Sequence, residues 1–489
     1  MSGSESIAAL MAASGVGFGT SGARGLAVAM TDRICYLYTA GFLRYLEGRG
    51  EIKRGDRVAL AGDLRPSTPR IMRACSRAIR DAGFAPVNCG FIPTPAVTCW
   101  AMAQGIASLM VTGSHIPDDR NGIKFNRPAG EILKGDEPGM RAETPPVPDL
   151  FDGEDNLSIS GELPPVEAAA REAYLARYLD FFPAGCLAGR RLAVYEHSSV
   201  ARDILVEVLA GLGADVLRLG RSERFVPVDT EAVRPEDEIL ARDWAAEHGF
   251  FALLSADGDG DRPLIADERG AILRGDITGV FTAGWLGADT VVTPVSSNTA
   301  LEGCGWFARA IRTRIGSPYV IAAMQAAGGG RVVGYEANGG FLTQSAIGRD
   351  GRELTALPTR DALIVALALL CLATERQVPL SGLAELLPAR FTASDRLKEF
   401  PTERSAERIG ALHAGGPPAV AAVFGADFGP VAAIDDTDGL RITFASGEIA
   451  HLRPSGNAPE LRCYNEAASP ERALAMNRRC LEILARWRE

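Results

Sequence analysis

Short apolar runs of strand length alternate with amphipathic helical stretches through the first three-quarters of the chain. The run "DRVALAG" precedes the helical "RIMRACSRAIRDAG", and the strand-like "VNCGFI" and "IASLMVTG" follow. This alternation is typical of α/β proteins, in which helices cover the faces of a sheet. The sequence therefore predicts an α/β fold rather than an all-helical or all-strand one.

The alternation is interrupted once by a proline-rich and acidic stretch, residues 141–166, which we interpret as a linker or surface excursion. A chain of 489 residues exceeds the size of one core, which favours three or four domains. Three units share the α/β pattern, and the last stretch is shorter and mixed. We predict three similar mixed-sheet domains and a smaller α+β domain, with the boundaries 1–155, 165–270, 271–385 and 390–489.

Composition excludes several classes of partner. The formal net charge of −10 argues against an extended nucleic-acid or anionic membrane surface. The nine cysteines include no C-x-x-C pair, so reduced thiols and a cytoplasmic location are expected. The start of the chain lacks the features of a signal peptide. The longest apolar run, residues 362–373, is too short for a bilayer, which needs roughly 20 residues, and predicts a buried helix.

The segment "SADGDGDRP" places three aspartates, Asp257, Asp259 and Asp261, at alternate positions after an apolar strand. Intervening glycines allow the backbone to curl so that the three carboxylates converge on one cation, as Mg²⁺ prefers. An EF-hand, which would use Glu268, is disfavoured because Arg262 occupies the position that requires glycine. An acidic surface turn remains the alternative.

A possible nucleophile, Ser114, lies in "VTGSHIPDDRNGIKF" at the end of a strand-like run. Gly113 permits a sharp turn there, and His115 is a candidate base. A Ser-His-Asp hydrolase is disfavoured because no G-x-S-x-G elbow surrounds the serine. A second glycine-rich loop, "GVGFGTSGARG", offers hydroxyls and Arg24 for a phosphate, or is a simple turn. It is not a dinucleotide fingerprint, since no strand precedes it.

Two later loops also carry polar side chains. "GYEANGGFL" presents Glu336 and Asn338 at a spacing suited to two sugar hydroxyls, with an ordinary hairpin turn as the alternative. "HLRPSGNAPELRCYNE" combines guanidinium, hydroxyl and backbone donors around one tight loop, which is typical of phosphate binding. Its candidate residues are Arg453, Ser455, Gly456, Asn457 and Arg462.

These five segments, in this order, resemble the α-D-phosphohexomutase superfamily, which includes phosphoglucomutases, phosphomannomutases and phosphoglucosamine mutases. The resemblance extends from "FGTSGARG" through "TGSHIPDDRNGIK", "DGDGDR" and "GYEANGG" to "RPSGNAPELRCY". It implies three α/β domains, each with a mixed four-stranded sheet, and a fourth domain of a different type around a central cleft. A cytoplasmic monomer or homodimer that interconverts hexose 6-phosphate and hexose 1-phosphate is expected.

By matching position, the resemblance implies that Ser114 carries a phosphoryl group and that a phosphoserine oxygen joins the three aspartates around Mg²⁺. It further implies that Lys124 is the general acid/base, with a pKa that nearby cations lower. Arg24 and Arg262 are expected near the transferring group, with His115 in support. A hexose 1,6-bisphosphate is expected as activator. Glu336 and Asn338 are expected to contact the sugar, and the Arg453–Asn457 loop with Arg462 to hold the distal phosphate.

Departures from the family pattern concern the substrate. Gly113 and Ile116 replace Ala and Asn of the common T-A-S-H-N-P, Asn457 and Ala458 replace Thr and Glu of the phosphate loop, and Gly340 stands where many members have His. The E-A-N-G loop also resembles phosphoacetylglucosamine mutases. The remaining motifs favour phosphomannomutase activity, with phosphoglucomutase or phospho(acetyl)glucosamine mutase as alternatives. A non-catalytic sugar-phosphate-binding protein and a metal-dependent phosphatase are the rival classes.

Overall fold

The chain divides into two compact units. The large unit contains Met1–Asp289 and Gly316–Gly382, and the small unit contains Thr290–Ile315 and Leu383–Glu489. The computed structural model describes residues 4–158, 162–455 and 459–488. The four domain boundaries given above stay a prediction.

Helices and strands alternate as the sequence predicts. The helices, in chain order, are α1 Ile7–Ser14, α2 Asp32–Gly48, α3 Thr68–Asp81, α4 Thr94–Gln104, α5 Glu137–Ala142, α6 Ala169–Phe181, α7 Arg202–Gly211, α8 Pro235–His248, α9 Gly275–Trp285, α10 Ala300–Gly303, α11 Ser317–Ala326, α12 Ala362–Arg376, α13 Thr402–Phe428 and α14 Pro470–Ala485.

The strands are β1 Gly17–Phe18, β2 Gly22–Leu26, β3 Arg57–Gly62, β4 Ala85–Phe91, β5 Ala107–Val111, β6 Arg120–Arg127, β7 Gly130–Glu131, β8 Arg191–His197, β9 Asp215–Arg221, β10 Ala252–Ala256, β11 Pro263–Ala266, β12 Thr290–Pro294, β13 Arg309–Thr313, β14 Val332–Tyr335, β15 Phe341–Thr343, β16 Ile347–Arg349, β17 Arg352–Leu354, β18 Leu357–Asp361, β19 Phe391–Leu397, β20 Val431–Asp435, β21 Leu440–Phe444, β22 Ile449–Pro454 and β23 Leu461–Ala467.

The first sheet of the large unit has the strand order β1-β2-β6-β5-β3-β4, with β7 paired to β6. Strand β3 pairs in parallel with β4 and β5, whereas β5, β6 and β2 pair antiparallel. The sheet is therefore mixed, as expected. It has seven strands instead of the expected four, because the hairpin before α2 and the short β7 extend it.

A second mixed sheet of the large unit has the order β11-β10-β8-β9. Strands β8, β9 and β10 are parallel, and β11 folds back antiparallel on β10. Further along the chain, β15 pairs antiparallel with both β14 and β18. Helix α12 follows β18 directly, and its residues 362–373 are buried, which confirms the predicted core helix. Polar loops at the ends of these strands carry the site described below.

The small unit contains an antiparallel sheet in the order β19-β23-β22-β21-β20, packed against α13 and α14. Its core includes Phe424, Leu440, Leu452 and Leu484. Two strands and the final helix lie where the sequence predicts them. This all-antiparallel sheet with its helices is the distinct α+β architecture expected for the last part of the chain.

Helix α13 is not predicted by the sequence, because Gly-Gly-Pro-Pro interrupts it. The backbone breaks at Gly416, where φ is 61°, and Pro417 and Pro418 follow. By length and composition α13 is also the one helix among the described residues that could cross a membrane. The break divides it into two segments, each shorter than the roughly 20 residues that a span needs.

Candidate active site

Ser114 lies in the loop that joins β5 to β6, two neighbouring antiparallel strands. Its side chain is fully buried, and its φ of 59° is in the left-handed region, where non-glycine residues are uncommon. The Ser114 amide donates to Thr112 Oγ1 at 2.7 Å, which holds this turn. Lys124 lies on β6 opposite Met110, so the same hairpin carries both the serine and the lysine.

The glycine-rich loop near the N-terminus brings Arg24 next to this hairpin. Strand β2 pairs with β6, with Gly22 opposite Lys124. A Cβ at Gly22 would lie 2.0 Å from the Ile123 carbonyl oxygen, so only glycine permits this approach. Arg24 follows on the same strand, where burial and the nearby Arg262 guanidinium lower its pKa to about 10.

The three predicted aspartates lie together in the turn between β10 and β11. The Asp257 amide donates to the Arg262 carbonyl, and Gly260 adopts a φ of 71°. The side chains of Asp257, Asp259 and Asp261 are fully buried, and one carboxylate oxygen of each lies within 4.8 Å of the others. The structure thus places in one group the three residues that the sequence predicts as metal ligands.

This group fits a divalent cation. Two of its buried carboxylate oxygens, Asp259 Oδ1 and Asp261 Oδ1, have no hydrogen-bond partner within the described part of the chain. Buried carboxylates repel one another unless a cation compensates them. Burial, reinforced by the carboxylates of Asp259 and Asp261, raises the pKa of Asp257 well above its ordinary value. Hard oxygen ligands in this number are the donors that Mg²⁺ and Mn²⁺ prefer.

The hydroxyl of Ser114 is hydrogen-bonded to this group, and the other nearby acceptor, His115 Nδ1, lies farther from Ser114 Oγ, at 3.3 Å. Its Oγ donates to Asp257 Oδ2 at 2.7 Å, while the other Asp257 oxygen accepts from the backbone amides of Asp261 and Arg262 at 3.1 and 3.2 Å. Ser114 and Asp257 are 143 positions apart in the chain. The serine is therefore bonded directly to the three-aspartate group, although the two are distant in sequence.

His115 contacts Arg262 more closely than it contacts Ser114. Arg262 Nη1 lies 2.9 Å from His115 Nδ1. Because guanidinium only donates, Nδ1 must accept and the ring proton must be on Nε2. Burial, together with the charges of Arg262 and Arg24, lowers the pKa of His115 to about 2, so the ring is neutral. His115 thus contacts Arg262, and its supporting role stays a prediction.

Lys124 is bonded to the aspartates themselves. Its Nζ donates to Asp259 Oδ2 and to Asp261 Oδ2, both at 2.6 Å. Burial lowers the Lys124 pKa, but the two carboxylates outweigh burial and the Arg360 charge, so the pKa is raised and not lowered as expected. The ammonium group thus compensates the buried carboxylates.

Arg360, at the end of β18, joins the aspartate group to the predicted sugar loop. Its Nε and Nη2 both donate to Asp261 Oδ2, at 3.0 and 2.9 Å, and its Nη1 donates to Glu336 Oε2 at 3.1 Å. The side chain is 3% exposed. The neighbouring Arg360, Lys124 and Arg262 cations also hold the pKa of Asp261 below its usual range, although burial opposes this. Sequence analysis missed Arg360.

The sugar loop connects β14 to β15 and is closed by local hydrogen bonds. The Glu336 amide donates to the Gly340 carbonyl, and Asn338 Oδ1 accepts from the Gly340 amide at 2.9 Å. A Cβ at Gly340 would lie 2.5 Å from Arg360 Cδ. The Arg360 side chain therefore occupies the space that a larger residue at position 340 would need, which explains why this chain has glycine there.

A second arginine explains the glycine in the serine loop. A Cβ at Gly113 would lie 2.7 Å from Arg65 Cζ. Arg65 is fully buried, is paired with Asp63, and donates to the Ser114 carbonyl oxygen at 2.7 Å. It holds the backbone on which the serine hydroxyl is displayed. Nothing in the described structure explains Ile116 in the same terms.

Sequence analysis missed Arg65 as well as Arg360. Arg65 lies three residues beyond the end of β3, in "AGDLR", and Arg360 is the residue before the last in β18, in "LPTRD". A charged residue near the carboxyl end of a buried strand is the signal that could have found them, since functional groups gather at strand ends in α/β sheets.

The predicted phosphate loop lies in the small unit, between β22 and β23. The register places Arg453 opposite Arg462 on adjacent strands. The buried Ser455 donates its amide to the Glu460 carbonyl at 2.8 Å, which closes the loop. Both arginines have carboxylate partners: Arg453 Nε donates to Asp438 Oδ2 at 2.8 Å, and Arg462 Nη2 lies 3.9 Å from Glu460 Oε2. Gly456 and Asn457, also predicted for this loop, lie outside the described residues, as does Ala458.

Comparison with known proteins agrees with this arrangement. Three family models match, described as phosphoglucomutase/phosphomannomutase alpha/beta/alpha domain I, alpha/beta/alpha domain III and C-terminal domain, over residues 15–142, 271–391 and 402–482. The chain is 44% identical to a phosphomannomutase of Sinorhizobium fredii, over 93% of this chain and 96% of the relative. It is 43% identical to one of Salmonella muenchen, over 94% of each.

The fold is shared with a solved structure of a phosphoglucomutase/phosphomannomutase family protein from Burkholderia thailandensis. The two have a TM-score of 0.74 and 19% identity, and the match covers 96% of this chain and 97% of that one. The chain belongs to the phosphoglucomutase/phosphomannomutase family, within the α-D-phosphohexomutase superfamily. It is a phosphohexomutase, an isomerase that transfers phosphate intramolecularly.

Proposed function

We propose that the protein is a Mg²⁺-dependent phosphomannomutase that interconverts mannose 6-phosphate and mannose 1-phosphate. The observation that carries the proposal is the hydrogen bond from Ser114 Oγ to Asp257, within a buried three-aspartate group. The names of the two similar bacterial relatives support mannose as the hexose. The glycines at positions 113 and 340 do not oppose the assignment, because arginine side chains fill the corresponding space.

Ser114 is the proposed phosphoryl carrier. A hexose 1,6-bisphosphate would load it with a phosphoryl group. The phosphoserine would then donate this group to one sugar oxygen, and the freed Ser114 hydroxyl would take the phosphoryl group from the other sugar oxygen of the bisphosphorylated intermediate. Mg²⁺, when bound by Asp257, Asp259, Asp261 and a phosphoserine oxygen, supplies positive charge that stabilises the transferring group. Arg262, oriented by His115, and Arg24 add fixed positive charge beside it.

Lys124 is the proposed general acid/base. Its Nζ is held by Asp259 and Asp261, beside the aspartate group that Ser114 contacts. A cation bound by the same carboxylates would compete with Lys124 for them and would favour the uncharged amine. The Nζ of Lys124 would exchange a proton with the sugar oxygen.

The remaining predicted residues are proposed to bind substrate. Glu336 and Asn338 offer acceptors to sugar hydroxyls, and the Arg453–Asn457 loop with Arg462 offers donors to a phosphate. The position of Arg453 and Arg462 on the two strands that flank the loop supports this, because guanidinium groups are favoured hydrogen-bond donors to phosphate.

A substrate panel tests the function. Purified protein is incubated with Mg²⁺, a bisphosphate activator and mannose 1-phosphate, glucose 1-phosphate or N-acetylglucosamine 1-phosphate. We expect 6-phosphate product most rapidly from mannose 1-phosphate. Preference for another sugar would replace the proposed substrate, release of inorganic phosphate would indicate a phosphatase, and no product from any sugar would refute mutase activity.

Intact mass separates an enzyme from a non-catalytic binder. We expect one phosphate on the wild type that exchanges with labelled substrate. Ser114→Ala should lose it, whereas Ser446→Ala, which removes an exposed serine, should keep it. Asp257→Asn should keep the fold but lose exchange. An unphosphorylated wild type that binds sugar phosphate would favour the binder.

We also propose a reducing, cytoplasmic setting. All nine cysteines are free thiols, which supports this because disulfides accumulate in oxidising compartments. Labelling of the thiols in freshly lysed cells tests it, and extensive oxidation there would refute it.

A further inference from the structure

Two cysteines that the proposed chemistry does not use lie in contact in the large unit. Cys371 Sγ is 3.8 Å from Cys186 Sγ, although the residues are 185 positions apart. Cys371 is on the buried helix α12, and Cys186 lies in the turn that connects α6 to β8. Because a disulfide joins its sulfurs at about 2.05 Å, the two atoms need to approach by less than about 2 Å.

The packing around the pair keeps the two thiols together. At the start of α12, Asp361 accepts hydrogen bonds from Tyr174 and Tyr178 of α6, the first at 2.7 Å. Near its end, Glu375 accepts from the indole of Trp285 at 3.0 Å, and that ring stacks on Phe182, which directly follows α6. The helix is thus fixed to the α6 region on both sides of Cys371, so the thiol contact is built into the fold.

The turn that carries Cys186 can supply the small movement that bond formation requires. Gly185 and Gly189 both adopt positive φ values, 71° and 75°. A Cβ at either glycine would meet nothing within 4 Å, so the turn borders open space at these two positions, while Leu187 between them is buried and donates its amide to the Leu212 carbonyl. Cys186 is half-buried, whereas Cys371 is buried. The more exposed Cys186 is suited to attack an oxidant, and the confined Cys371 is suited to resolve the oxidised product.

We propose that Cys186 and Cys371 form a redox-sensitive dithiol that closes to a reversible disulfide under a peroxide oxidant. The Cys186 thiolate attacks one peroxide oxygen; an S–O bond forms, the O–O bond breaks, and the leaving hydroxide takes up a proton as water. Cys371 sulfur then attacks the Cys186 sulfenic acid; the S–S bond forms, the S–O bond breaks, and hydroxide leaves with the Cys371 proton as a second water. Two thiols are oxidised and one peroxide is reduced.

The electrostatics of the pair support this order of attack. The Cys371 thiol donates to Cys186 sulfur, and this hydrogen bond lowers the pKa of Cys186, although burial opposes it. A thiol with a lowered pKa contains more of the thiolate that reacts with peroxides. Intracellular disulfides are most often transient and redox-sensing, so a reversible bond is consistent with an otherwise reduced protein.

The experiment uses the full-length protein, reduced and then treated with hydrogen peroxide. We expect an intact mass lower by two hydrogen atoms, a loss of two of the nine thiols, and one cross-linked peptide pair containing Cys186 and Cys371, all reversed by dithiothreitol. Cys304→Ser is the control, since Cys304 is also half-buried but donates to the Leu301 carbonyl. This variant should form the same cross-link as the wild type.

Two variants distinguish a paired site from general oxidation. In Cys371→Ser, Cys186 should stop at the sulfenic acid, which dimedone labels. In Cys186→Ser, which changes only the half-buried turn residue, Cys371 should resist peroxide. Failure of the wild type to yield the 186–371 peptide under conditions that oxidise Cys304 would overturn the proposal. Equal dimedone labelling of Cys186 in the wild type and in Cys371→Ser would overturn it as well.

Discussion

The side chain of Arg360 fills the space beside Gly340, with its Cδ 2.5 Å from the position of a Cβ there. Gly340→Ala should therefore displace Arg360 or shift the loop, at a cost of about 1–3 kcal/mol in the free energy of unfolding. Urea denaturation measures this cost. Gly348→Ala is the control, because a Cβ at that glycine meets nothing within 4 Å. Equal stability of the two variants would show that Arg360 yields freely.

Gly113→Ala should be destabilising for the same reason. The new methyl group would lie 2.7 Å from Arg65 Cζ, and Arg65 cannot withdraw without losing its bonds to Asp63 and to the Ser114 carbonyl. We expect a loss of about 1–3 kcal/mol and lower phosphorylation of Ser114. Urea denaturation and intact mass check the two effects, with Gly135→Ala as the unhindered control. A stable, fully phosphorylated variant would contradict the role of Arg65.

Lys124→Ala should be unstable without metal. Removing the ammonium leaves the buried Asp259 and Asp261 carboxylates uncompensated, and such losses cost about 3–5 kcal/mol. Mg²⁺ should restore most of this stability, because the cation replaces the lost charge, while turnover stays low. Thermal unfolding in EDTA and in Mg²⁺ checks this, with the more exposed Lys134→Ala as control. A melting temperature unchanged in EDTA would contradict the pairing.

Arg360→Lys should weaken the link between the aspartate group and the sugar loop while the protein stays folded. Lysine keeps the charge but cannot bond Asp261 through two nitrogens while also reaching Glu336. We expect kcat/KM to fall at least about tenfold, equivalent to ~1.4 kcal/mol, with a raised KM for the sugar phosphate. Steady-state kinetics measure both parameters. Arg242→Lys, in an exposed ion pair with Glu238, should change neither.

Buried histidines should make the protein less stable in acid. Burial lowers the pKa of His451 from 6.5 to about 4, so the unfolded chain binds its proton first as the pH falls. Stability is then lost from about pH 6.5 down to about pH 4, by up to about 1.4 kcal/mol per pH unit for this group.

His451→Gln should reduce that pH dependence. The Gln amide can keep the hydrogen bond to the Asp438 carbonyl but does not titrate. Urea unfolding at several pH values checks the slope. His413→Gln, at an exposed position, should leave the slope unchanged, and an unchanged slope in His451→Gln would contradict the prediction.

Local patterns predicted much of this protein. The alternation of apolar runs and helices gave the α/β class, and the period of two in "DGDGD" placed three carboxylates on one turn. The contacts of Arg65 and Arg360 were not predicted, because each side chain fills space beside a glycine in a distant loop. Such contacts depend on how strands pair, which residue type and spacing do not indicate. The raised Lys124 pKa was missed for the same reason.

The three aspartates belong to one five-residue turn, whereas Lys124 and Arg360 reach them from β6 and β18. The spacing of the three carboxylates is therefore set by the β10–β11 hairpin alone, and the cations that face them are set by two other strands. A change in the position of β6 or β18 would alter the charge that the carboxylates meet without altering their own geometry.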